Sequence, residues 1–135
     1  MRLVEHIQSL AWEDLLAPVD WRGGGSGRVE AGGLDIVGHF DKIGLNASYV
    51  QPGIEDEPWY STHIARVVDA IAASGLTAEI NTKARTRHGR FFPASRWWPL
   101  LKDAGVPVVV NSDAHDPALT DASRREAFNL LDTLI

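Results

Sequence analysis

Three short apolar runs, each closed by polar residues, organise the chain from residue 34 onward. Residues 34–38 (LDIVG) lead directly into His39-Phe40-Asp41, residues 76–81 (LTAEIN) into Thr82 and Lys83, and residues 106–111 (VPVVVN) into Ser112-Asp113-Ala114-His115. All three are predicted strands with polar carboxyl ends. The last, continuous and β-branched, has the pattern of a strand buried on both faces. Between them, Ile64, Val67, Val68, Ile71 and Ala72 recur at helical spacing over residues 59–74, and Gly75 sits where the helix would stop. A second helix is expected from residues 93–95 to Gly105, with Ser95 as its cap and Trp97, Trp98, Leu100 and Leu101 as its apolar residues. A third runs from near Asp121 through Ala127, Leu130, Leu131 and Leu134. Residues 44–58, with Pro52, Gly53, Pro58 and three acids, are expected to form an irregular acidic loop, and residues 82–90 a loop with nothing worth burying. Residues 1–33 form a poorly defined lead-in, a short helix on Leu3, Ile7 and Leu10 followed by a glycine-rich loop at 23–27.

Alternation of strand and helix predicts a parallel α/β fold in which function gathers at the carboxyl ends of the strands. A complete βα barrel needs about 200 to 250 residues. At 135 residues the chain offers about three parallel βα units in a single domain, less than a whole barrel. No apolar run approaches the roughly 20 residues that span a bilayer, and the first residues lack the apolar core of a secretory signal. A cytoplasmic protein without a membrane partner is expected. The absence of cysteine excludes disulfides, thiolate zinc sites and a cysteine nucleophile, so any metal is bound through nitrogen and oxygen. A formal charge of −5 argues against nucleic acid as a partner. Local positive charge then becomes informative.

Asp113 and His115, two apart after a strand, can aim at one centre, and carboxylate with imidazole suits zinc, manganese or iron. The alternative is a capping aspartate beside a surface histidine. His39 ends an earlier strand, where Gly38 allows close backbone approach; it is either a ligand or a hydrogen-bonded structural residue. Asp41 either orients an imidazole or caps the following turn. Lys83, Arg85, Arg87 and Arg90 place four cations in eight residues, which reads as a phosphate clamp or a solvated basic loop. Glu79, inside its strand, either points toward the site or pairs with a lysine elsewhere. His6 and His63 fall on helices and read as structural or surface residues; His88 stays open.

Taken in order, Gly38-His39-Phe40-Asp41, Glu79-Ile80-Asn81-Thr82, Phe92-Pro93-Ala94-Ser95 and Val110-Asn111-Ser112-Asp113-Ala114-His115 resemble the second half of the polymerase and histidinol phosphatase (PHP) phosphoesterases, above all the histidinol-phosphatase branch. The resemblance covers roughly residues 34–132. It implies the C-terminal portion of a distorted (β/α)7 TIM-like barrel, with two or three divalent ions (zinc, manganese or iron) at the carboxyl rim of the complete site. It also implies His39, Asp113 and His115 as metal ligands, Lys83, Arg85 and Arg87 on the substrate phosphate, and Asp41 and Glu79 supporting from behind. The implied reaction is hydrolysis of a phosphomonoester such as histidinol phosphate. The family's opening His-x-His motif and bridging glutamate have no counterpart in residues 1–33. The chain is therefore expected to be a partial PHP domain carrying only part of the active site and inactive alone. Its expected partners are a small phosphorylated substrate and either further copies or a missing N-terminal half. The alternative is a non-catalytic binding domain of the same ancestry.

Overall fold

A computed structural model describes residues 35–134. The helix and glycine-rich stretch expected within residues 1–33, and His6, lie outside the described residues. Strands β1 (Ile36–Val37), β2 (Thr77–Asn81) and β3 (Val108–Asn111) form a parallel sheet in chain order. Ile36 pairs with Thr77, Ala78 with Val108 and Asn81 with Asn111, so all three strands end at one edge of the molecule. The first crossover holds α1 (Lys42–Ser48), a 3-10 turn (Ile54–Asp56) and α2 (Pro58–Ala73). The second holds α3 (Arg85–His88), a 3-10 turn (Ser95–Trp97) and α4 (Trp98–Asp103), and after β3 come a 3-10 turn (Pro117–Leu119) and α5 (Arg124–Asp132). Among the described residues no helix is long and apolar enough to cross a membrane.

Helix α2 forms where the apolar spacing predicts it. Pro58 starts it, preset for a first helical turn, and Tyr60, Ile64, Val67, Val68 and Ile71 make its buried stripe. Its end uses a local device that α4 repeats. Gly75 (φ 67°) donates its N–H to Ala72 O and Leu76 donates to Ile71 O, while Gly105 (φ 69°) donates to Lys102 O and Val106 to Leu101 O. Both are Schellman turns, which satisfy the last helical carbonyls and need a left-handed residue that only glycine adopts without strain. Leu76 and Val106, the residues each turn delivers, are buried and lead into β2 and β3.

The core lies on one face of the sheet. Ala78, Ile80 and Val110 point toward Ile64, Val67, Val68 and Ile71 of α2, Trp98 and Leu101 of α4 and Ala127 of α5. Each large aliphatic side chain fully buried there contributes about 1.5 to 3 kcal/mol. The opposite face carries Ile36, Thr77, Glu79, Asn81, Val109 and Asn111, because side chains alternate along a strand.

Five expectations need correction. β3 is not buried on both faces: Val108 and Val109 are each 37% exposed and only Val110 is buried. Among the described residues β3 has β2 as its one neighbour, and the helices pack on one side. The 44–58 stretch is not irregular throughout, since α1 and a 3-10 turn occupy much of it. Gly44 makes that possible: a Cβ there would lie 2.2 Å from the Tyr60 hydroxyl and 2.8 Å from Glu55, so α1 can press against α2 only with glycine. The 82–90 segment holds one helical turn, α3. Ser95 does not cap α4; it opens the 3-10 turn before it, and α5 begins at Arg124 rather than near Asp121.

Candidate functional site

Beyond the strand ends the side chains singled out in the sequence separate into those that meet and those that do not. His39 follows β1, Lys83 follows β2, and Asp113 and His115 follow β3. His39, Lys42, Asn81, Lys83, Arg87, His88 and Asp113 face one cleft of about 220 Å³, with Leu45, Ala84 and Phe92 as its apolar wall. Phe92 is brought there by a backbone bridge to Asn81, with N···O distances of 2.7 and 3.1 Å. Lys83, Arg87 and Asp113 also border an adjoining cavity that includes Ser112 and His115.

The backbone at this rim is held in an uncommon conformation. His39 (φ 30°) and Asp113 (φ 49°) are two of the three non-glycine residues with positive φ among those described, the third being Ser123 (φ 58°). Such a conformation costs on the order of 1 kcal/mol and persists where surrounding contacts enforce it. For Asp113 those contacts are visible. The strand ends carry paired asparagines: Asn81 Oδ1 accepts from Lys83 N–H at 3.0 Å and Asn111 Oδ1 accepts from Asp113 N–H at 3.2 Å. Each is a turn closed by an asparagine side chain. Their amide groups then donate to one buried carboxylate, Asn111 to Glu79 Oε1 at 2.7 Å and Asn81 to Glu79 Oε2 at 3.5 Å. Asn81 also reaches Asp113 Oδ2 at 3.5 Å. Glu79 thus lies behind both loops, and Gly38 makes room for it: a Cβ there would lie 3.1 Å from Glu79 Oε2.

Partial burial opposes ionisation of Asp113. The Asn81 hydrogen bond, the Lys83 ammonium at 3.5 Å and the nearby imidazole outweigh it and hold the carboxyl below its ordinary range. His115 Nδ1 lies 2.8 Å from the Asp113 carbonyl oxygen. A carbonyl can only accept, so this contact is a hydrogen bond in the form with the proton on Nδ1, which leaves Nε2 as the nitrogen open to a metal ion. This is the tautomer of a histidine prepared for a metal ion through Nε2. Asp113 and His115 are donor types that a divalent ion accepts, and they lie side by side, with His115 Nδ1 3.9 Å from Asp113 Oδ1. His39 shares the cleft with Asp113, but among the described residues no three metal-ligating side chains converge on one point.

The other expected residues sit elsewhere. Arg85 is engaged with Glu126 at 2.9 Å (Nε) and 2.5 Å (Nη2) and with the Gly89 carbonyl, and faces a separate cavity. The hydrogen-bonded pairing with Glu126 raises the Arg85 guanidinium above its ordinary value and holds the Glu126 carboxyl below its own. Asp41 is fully buried: its Oδ2 accepts from Ala94 N–H at 2.7 Å and from Arg90 at 3.3 Å, so it ties the turn after β1 to the loop before α4. Arg90 is shared with Glu55, and Arg96 pairs with Asp56. His63 packs its ring on Trp59, as a structural histidine does. Lys42, His88, Asn81 and Asn111 were not assigned from sequence. The matching asparagines at the ends of two strands were the one available signal; Lys42 and His88 reach the cleft only through the packing of α1 and α3.

The chain matches no described protein family, and no solved structure matches it. It is 29% identical over 92 residues to a protein of Deinococcus radiodurans named probable histidinol-phosphatase, a match covering 67% of this chain and 32% of that protein. The chain thus spans about a third of the length of the curated relative it matches, and the relationship is a distant one.

Proposed function

We propose that this chain supplies part of the active site of a metal-dependent phosphomonoesterase acting on a small phosphorylated substrate such as histidinol phosphate. The observation that carries this reading is the meeting of His39, Asp113, Lys83 and Arg87 in one cleft beyond the carboxyl ends of three parallel strands. That is where parallel βα folds concentrate their chemistry. The distant resemblance to a probable histidinol-phosphatase supports it. Asp113 and His115, joined by His39 and by donors from outside the described residues, hold zinc, manganese or iron. When bound, such an ion supplies Lewis acidity toward water and phosphoryl oxygens. Lys83 and Arg87, with Lys42 beside them, bind the phosphoryl oxygens and offset their charge. His115 offers its Nε2 to the ion, and Glu79 keeps Asp113 in place through the two asparagines. Arg85 takes a structural part instead, fastening α3 to α5.

In this reading the three βα units are a C-terminal portion of a βα barrel, and the sheet face bearing Ile36 and Val109 is the one that further units or further copies cover. With two donors converging here, the chain alone binds metal and phosphate but does not turn substrate over. Calorimetric titration of the 135-residue protein with Mn²⁺ and with inorganic phosphate tests this. Metal binding lost in both Asp113→Asn and His115→Ala, together with phosphate binding weakened by Arg87→Met, is the expected result. Metal binding indifferent to Asp113 and His115 would overturn it.

A further inference from the structure

The Lys83 ammonium lies 3.5 Å from Asp113 Oδ2 and at 3.0 and 3.4 Å from His115 Nδ1 and Nε2. Near-equal distances to the two ring nitrogens place the ammonium over the face of the imidazole rather than along either lone pair. Nδ1 also lies 2.8 Å from the Asp113 carbonyl oxygen. Lys83 therefore meets His115 as a cation over a ring and Asp113 as a counter-charge. Its positive charge stands beside the two donors a metal ion would use. Lys83 also belongs to the cleft that Arg87 lines, so one flexible side chain borders both places.

We infer that Lys83 is a tethered cation that holds the Asp113–His115 pair while no metal is bound, yields it to a divalent ion, and then joins Arg87 in the anion cleft. This rests on the reading of Asp113 and His115 as metal donors. The physical argument is competition between like charges for one carboxylate. A lysine in this place satisfies Asp113 in the metal-free protein and opposes the arriving ion. Both side chains are partly exposed, 49% for Lys83 and 38% for Asp113, so the ammonium can leave without stranding a buried charge. Metal binding and anion binding are thereby coupled: filling one site frees a ligand for the other.

The test uses the wild-type chain and one variant. In a zinc titration followed by NMR, the side-chain protons next to the Lys83 ammonium start at ring-shifted positions and return to ordinary ones as the His115 ring signals move. Calorimetry gives Lys83→Met about fivefold tighter Mn²⁺ binding than wild type, the effect of removing one like charge from a part-exposed site. Zinc that moves the His115 signals while leaving Lys83 in place, or Mn²⁺ affinity unchanged in Lys83→Met, overturns this inference and leaves the metal assignment standing. Zinc that leaves the His115 signals unmoved overturns the metal assignment and this inference with it.

Discussion

Replacing Asp41 by asparagine removes a carboxyl whose protonation is tied to folding. Asp41 is fully buried, its Oδ1 has no hydrogen-bond partner among the described residues, and the neighbouring Arg90 is divided between it and Glu55. Burial pushes its pKa up from 3.8 to about 6; the Ala94 N–H and Arg90 pull it down without prevailing, and Glu55 adds to the rise. The folded protein then holds a proton that the unfolded chain releases near pH 4. The contribution is fully present below the unfolded value and declines as pH rises through about 6. A difference of about 2 pH units corresponds to about 3 kcal/mol. Urea unfolding of wild type and Asp41→Asn from pH 4 to pH 8 isolates this group, since all other titrations are common to both. The wild type should lose about 3 kcal/mol relative to Asp41→Asn across that range. A difference that is flat with pH, or that grows in favour of the wild type as pH rises, would show that the Arg90 pair dominates and refute the reasoning.

Gly44→Ala should destabilise the fold by about 1 to 3 kcal/mol in urea unfolding, because its Cβ collides with Tyr60 and Glu55. Ile71→Ala, emptying a fully buried position on α2, should lower stability by about 2 to 5 kcal/mol in the same assay. Arg85→Ala should leave inorganic phosphate affinity within about twofold, since Arg85 is occupied by Glu126, whereas Arg87→Ala should weaken it by about tenfold. Calorimetry on the two variants decides it, and equal losses would contradict the separation of their roles.

The strands and the long helix were legible because each rests on a local pattern: apolar runs ending in polar residues, and a stripe on α2 closed by glycine. Helix α1 was not, since its sequence contains glycine and asparagine, both poor in helices, and it forms by pressing Gly44 onto Tyr60, a contact between distant positions. His39, Lys83, Asp113 and His115 could be placed at one rim because every parallel strand ends on the same side. Arg85 and Arg87 could not be told apart. In a loop they would be equivalent, but in the single turn of α3 residues two apart face opposite sides, sending one to Glu126 and the other to the cleft. Asp41 was legible as a residue with a task but not as a buried one, because its partners Ala94 and Arg90 arrive from about fifty residues away.

Glu79 receives the amide of each asparagine that closes a loop, one after β2 and one after β3. The two loops are consequently geared together. A shift of either must turn its asparagine, and the turned amide drags on a carboxylate that the other loop is also using. The loop backbones that carry Lys83 after β2 and Asp113 after β3 keep their spacing because a single hub sets the phase of both.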